Sequence, residues 1–110
     1  MVIQLAKFTL QPKMIKIMSQ PIQYYSTNHQ SEKVSFREAL LRGQAPDRGL
    51  YMPERIPQLT KEEIAGFSKL AYHEIAYLVV SRFLQDEVPA EALKAIMKDA
   101  YNFEVPLENV

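Results

Sequence analysis

Residues 44–53, QAPDRGLYMP, set two prolines seven positions apart, and that spacing limits what can be built between them. Pro46 fixes φ near the turn value, Asp47 can accept bonds from nearby amides, and Gly49 is expected to take the left-handed conformation. Leu50-Tyr51-Met52 then has room for only a very short strand before Pro53, which lacks an N–H, ends the pairing. A two- or three-residue strand cannot stabilise a sheet alone. Whatever carries it must come from elsewhere.

The flanking sequence supplies mostly helices. IQYYST is rich in β-formers and reads as a first short strand, followed by a polar loop at Asn28, His29, Gln30 and Ser31. Ser35-Phe36-Arg37-Glu38 is a capping box, and the two-turn helix behind it stops at Gly43. Thr60-Lys61-Glu62-Glu63 is a second box, with Leu59 and Ile64 placed as a hydrophobic staple. Gly66 is expected to end that helix and Ser68 to cap a third, from about Lys69 to Gln85, with Tyr72, Ile75, Ala76, Val79 and Phe83 on its apolar face. Pro89 opens a fourth helix striped by Leu93, Ile96, Met97, Ala100 and Tyr101. The expected fold class is α+β, mostly helical: a small domain of about four helices with one or two short β-strands.

A chain of 110 residues fits one domain with one modest core. Zero cysteines exclude a disulfide framework and any thiolate metal site, in keeping with a cytoplasmic protein. Net charge is zero, yet residues 1–31 carry +3 and the remainder −3. Three scattered lysines do not make a nucleic-acid arm, and no apolar run approaches membrane-spanning length. Residues 1–22 differ in character, with two prolines and mixed periodicity. They read as an N-terminal extension upstream of a native start at Met18, the alternative being a strand pair around Pro12; the domain proper is placed at residues 23–110.

Candidate chemistry is sparse. His73-Glu74-Ile75-Ala76-Tyr77 begins like a zinc helix, but Tyr77 stands where the second histidine is needed. Lys98, beside Asp99, reads as a solvated helix lysine rather than a Schiff-base former. Glu62-Glu63 and Asp86-Glu87 read as capping and solubilising charges at helix ends. No nucleophile has a base at hand, and no glycine-rich loop is present to cradle phosphate.

Taken in order, YYSTNHQSEKVSFREALLRGQAPDRGLYMPERIPQLTKEEI resembles the amino-terminal segment of threonine synthase. The family pattern is Tyr-x-Ser-Thr, then Val-Ser-Phe-x-x-Ala, then Gly-Leu-Ala-x-Asp-Gly-Gly-Leu-Tyr-x-Pro and Ile-Pro. The resemblance covers about residues 23–110. Gln44 departs from the leucine after Gly43, and Arg48 departs from the first glycine of Asp-Gly-Gly; if that glycine serves an unusual backbone angle, Arg48 strains the turn.

The resemblance implies a pyridoxal-phosphate (PLP) enzyme that converts O-phosphohomoserine and water to threonine and phosphate. Its cofactor lysine belongs to a Thr-x-Ala-Phe-Lys-Asp motif that this sequence does not reach, Met97-Lys98-Asp99 being the nearest string. No catalytic, cofactor-binding or metal-ligating residue is therefore expected in this chain, which alone should be inactive. Its expected partner is the PLP-binding catalytic domain, with no nucleic acid and no membrane. The short strand then makes sense as an element fixed against a larger neighbour. Ser26, Thr27, Asp47, Arg48, Gly49 and Tyr51 are the candidates to face a shared cleft, and an uncovered docking face would favour self-association. The alternatives are a stand-alone helical interaction module derived from the family, or a truncated reading frame without function.

Overall fold

The computed structural model describes residues 20–110. The extension, the Met18 start and the strand pair around Pro12 lie outside the described residues. Eight short elements follow one another: β1 (Tyr24–Ser26), α1 (Phe36–Arg42), β2 (Tyr51–Pro53), α2 (Lys61–Gly66), a 3₁₀ turn (Phe67–Lys69), α3 (Tyr72–Leu84), a second 3₁₀ turn (Gln85–Glu87) and α4 (Ala90–Ala100). The architecture is the mostly helical α+β domain that the sequence implies.

The two strands form an antiparallel ribbon in the register Tyr24–Pro53, Tyr25–Met52 and Ser26–Tyr51. On its other side Tyr24 forms a bridge with Val34, through N–H···O bonds of 2.8 and 3.0 Å. β2 starts one residue later than expected, because Leu50 instead bridges Gln44. Pro53 does not interrupt the ribbon but is its last paired residue. Alternation along β1 sends Tyr24 and Ser26 inward and leaves Tyr25 on the outer face.

Two small cores sit side by side. Ile22, Tyr24, Val34 and Ala39 form the first, with Phe36, Tyr51 and Phe83 packed against them. Leu84, Leu93 and Met97 form the second, with Phe36, Tyr77, Val80 and Tyr101 among those around it. Burying a side chain such as Leu93 or Met97 stabilises by about 1.5–3 kcal/mol. Ile22, at the end of the stretch set apart in the sequence, is packed in the first core. Phe36 belongs to both cores and tilts against Tyr24, ring centroids 5.7 Å apart.

Of the two capping boxes read from the sequence, the one at Thr60 forms in full and the one at Ser35 only by half, its Glu38 carboxylate turning to Arg42 instead. The Ser35 hydroxyl accepts from the Glu38 amide at 3.2 Å, and Gly43, at φ 72°, donates to the Ala39 carbonyl to close α1. Thr60 and Glu63 form the reciprocal box on α2. The third helix differs from expectation. Ser68 lies in a 3₁₀ turn and donates to the Ala65 carbonyl instead of capping, so α3 begins later, behind Ala71. Alanine offers no acceptor; the Glu74 carboxylate takes the Ala71 amide at 2.8 Å and holds that end. Ile64 and Ile96 are exposed rather than packed; on α4 the buried line runs through Leu93 and Met97, four residues apart, and Ile96 sits to one side of it. Tyr72 meets Tyr101 edge-on at 5.2 Å and Phe103 at 5.9 Å.

One cap comes from far along the chain. The Glu87 carboxylate accepts from the Phe36 amide at 3.3 Å and the Arg37 amide at 3.1 Å, the first two of α1. With Ser35 on the third, the free amides of that helix end meet two acceptors, and the negative charge sits where the helix dipole favours it. Burial first, and the nearby Glu87 second, push the Tyr24 phenol above its ordinary value. Replacing Glu87 by alanine is expected to cost about 1 kcal/mol, the usual worth of a helix cap. That lowers the thermal midpoint by about 4–8 °C. An unchanged midpoint for Glu87→Ala, measured by circular dichroism, would remove Glu87 from the fold's supports.

Candidate functional site

Of the six residues expected at a shared cleft, Ser26 and Gly49 bond the carboxylate of a third, Asp47. Asp47 Oδ1 accepts from the Ser26 hydroxyl at 2.5 Å and from the Gly49 amide at 3.0 Å, while Oδ2 accepts from the Gln30 amide at 2.9 Å. The Asp47 amide donates to the Ser31 hydroxyl at 3.2 Å, and its carbonyl accepts from the Asn28 side-chain amide at 2.9 Å. Two loops distant in sequence, 26–31 and 44–50, are thereby tied through a single residue. Thr27 extends the tie: its amide donates to the Leu50 carbonyl, and its hydroxyl accepts from the Leu50 amide, both at 2.9 Å.

The bonds dictate the electrostatics. The Ser26 hydroxyl, helped by the Gly49 and Gln30 amides and the Ser31 hydroxyl, outweighs desolvation and lowers the Asp47 carboxyl to about 2. Such a carboxylate is a poor base at neutral pH. The Ser26 hydroxyl has no solvent exposure, and its proton is committed to Asp47. The pair is therefore a structural lock, with neither the basicity nor the access that nucleophilic catalysis requires.

The turn itself corrects the sequence reading. The Ala45 amide donates to the Gly49 carbonyl at 3.1 Å, and the Arg48 amide to the Ala45 carbonyl at 2.8 Å. This is a three-residue hairpin loop whose last residue takes the left-handed conformation. Arg48, not Gly49, is that residue, at φ 69°. Gly49 is needed for a different reason: a Cβ there would lie 2.0 Å from Ser26 Oγ and 2.9 Å from the Asn28 nitrogen. The strain anticipated for Arg48 is present. A side chain at a left-handed position costs about 1–2 kcal/mol.

Of the six candidates, Ser26 and Gly49 are buried beneath the network, and Asp47 is half-buried. Thr27 and Arg48 are exposed at its surface. Tyr51 is half-buried, its hydroxyl accepting from Arg42 at 3.4 Å, outside the cluster. The sequence reading missed Gln30 and Ser31 as partners of Asp47; the density of Asn, Gln and Ser at 28–31 was the available signal, since such residues tie loop backbones. It also missed Arg55, whose guanidinium grips the Gln20 carbonyl at 2.5 Å. Among the described residues no group of three histidines or carboxylates is placed to hold a metal ion, and no helix is long and apolar enough to cross a membrane.

Residues 23–101 match the family model described as threonine synthase N terminus. The chain belongs to the threonine synthase N-terminal family. Threonine synthase of Methylobacillus glycogenes is 38% identical over 84 residues, which are 76% of this chain and 18% of that protein. The PLP-bound threonine synthase from Brucella melitensis superposes with a TM-score of 0.69 at 36% identity, over 74% of this chain and 18% of that one. The Escherichia coli threonine synthase gives 0.73 at 30% identity, over 79% and 20%. The chain thus spans a fifth or less of the length of these relatives.

Two outcomes follow from the geometry of the threonine synthase N-terminal turn. Asp47 is lowered from an ordinary 3.8 to about 2, so its stabilisation is complete above pH 4 and is lost as the pH falls toward 2. Acid titration of Asp47→Asn is expected to lack that step, and a wild-type carboxyl that titrates near 4 by NMR would refute the lock. Arg48→Gly relieves the left-handed strain, less the entropy cost of glycine, and should raise stability by about 0.5–1 kcal/mol. Urea melts that show a loss instead would mean the arginine side chain contributes contacts of its own.

Proposed function

We propose that this chain serves as the N-terminal domain of a threonine synthase, the PLP-dependent enzyme that converts O-phosphohomoserine and water to threonine and phosphate. The match of residues 23–101 to that family's N terminus carries the reading. PLP would supply the electron sink for that chemistry. The described residues do not fit PLP. Lys33, Lys61, Lys69, Lys94 and Lys98, the lysines among them, are all exposed. A lysine that forms a Schiff base must lose its proton, which calls for desolvation or a neighbouring cation. The opposite holds at Lys94, whose amine is pushed up by its bond to the Glu91 carboxylate. The cofactor and its lysine accordingly belong to a catalytic body that makes up the rest of the enzyme, with a cytoplasmic location for the whole.

In this reading the chain's own residues shape and close, rather than react. The Asp47 network holds the 44–50 hairpin rigid and presents Thr27 and Arg48 outward, with Ser26, Asp47 and Gly49 as their support and Tyr51 at the flank. Incubated with PLP and O-phosphohomoserine, the purified chain is expected to release no threonine and to retain no borohydride-stable PLP on any lysine. Put in place of the matched segment of the Methylobacillus threonine synthase, residues 23–101 should yield an enzyme that makes threonine. Threonine from the chain alone, or an inert chimera beside an active parent, would defeat the proposal.

A further inference from the structure

The domain leaves a set of large apolar side chains uncovered around the 44–50 hairpin. Leu40 and Leu41 of α1 are 66% and 74% exposed, Leu50 is 63% exposed, and Met52 of β2 is 45% exposed. Leu41 precedes Gln44 by three residues, and Gln44 bridges Leu50; Leu40 adjoins Leu41, and Met52, two residues beyond Leu50, shares its side of the chain by strand alternation. Single exposed leucines need no explanation, but a group of this size does. The inward side of α1 is already satisfied by Phe36 and Ala39. Helix α1 is seven residues long and still spends two consecutive leucines on its outer side.

We infer that Leu40, Leu41, Leu50 and Met52 form the face on which this domain docks against the catalytic body of a threonine synthase. The inference rests on the functional reading above. The occupant follows from length: the matched segment is 18–20% of the solved relatives, so about four fifths of such an enzyme remains to cover it. The geometry favours a large rigid partner, since Thr27 fixes Leu50 through two bonds while the Glu87 cap and Phe36 fix α1. A face held in place on both sides loses little freedom on docking. Ile96, 52% exposed, lies on a different helix, α4, and serves as the control.

The test uses the Methylobacillus chimera and reads thermal unfolding by calorimetry beside threonine formation. Docked domains melt together, so the chimera is expected to show one transition. Leu41→Glu and Leu50→Glu should split it into two or lower it by more than 5 °C. Threonine formation should fall at least tenfold, while Ile96→Glu leaves both readouts unchanged. In the isolated 110-residue chain Leu41→Glu should leave the midpoint in place, because Leu41 supports no core. An active chimera indifferent to Leu41→Glu and Leu50→Glu overturns the face and spares the functional reading. An inert chimera whose single transition those changes split keeps the face and sinks the functional reading. Two independent transitions in the unmutated chimera, or a stable dimer of the isolated chain that Leu41→Glu dissolves, would also overturn it, the latter in favour of a second copy.

Discussion

Everything in this domain passes through the start of α1. Phe36 is shared by both cores, and the two amides at its end of the helix are held by Glu87, a residue from the turn between α3 and α4. Neither core is large: one has four buried residues at its centre and the other three. Each is too small to stand alone, since a modest chain buries a smaller share of its surface than a large one. The ring joins them by packing and the carboxylate joins them by charge. Between them they turn a strand–helix–strand unit and a helical hairpin into one body.

The same economy governs the Asp47 loop, where one carboxylate does the work of a hydrophobic cluster. Its acceptors are filled by donors from residues 26, 30 and 49, and its own backbone is held by residues 28 and 31. The cost of burying the Ser26 hydroxyl is met by its bond to the charged oxygen, the stronger class of hydrogen bond. With so many ties the turn tolerates an arginine in a conformation better suited to glycine. Surrounding structure has to over-determine a strained residue for it to persist.

Local rules were legible in the sequence, and distant pairings were not. Ser35 with Glu38 and Thr60 with Glu63 are three residues apart, so their caps could be read directly. Ala71 has no capping oxygen, so the start of α3 leaves no local mark, whereas Ser68, a better-looking cap, bonds Ala65 instead. Glycine adopts the left-handed conformation most easily, so Gly49 is the residue the sequence offers for it, while the true reason for that glycine, the approach of Ser26, spans 23 residues of sequence. Glu87 read as a solubilising charge because its targets lie about 50 residues earlier. The family's ordered motifs carried the functional reading where composition and spacing carried none.

Pro53 has a consequence for how anything can attach to the ribbon. The amides of Leu50 and Glu54 point toward β1, where Thr27 Oγ1 and the Gln23 carbonyl receive them. By alternation, the nitrogens of Tyr51 and Pro53 face away from β1, on the side where Gln44 already bridges Leu50. Proline has no hydrogen to give there, so beyond the Gln44 bridge Pro53 offers an incoming strand no amide. Sheet extension, the ordinary hazard of an uncovered strand with apolar neighbours, is thereby discouraged. A neighbour must approach broadside, through side-chain packing, which admits only a surface of matching shape.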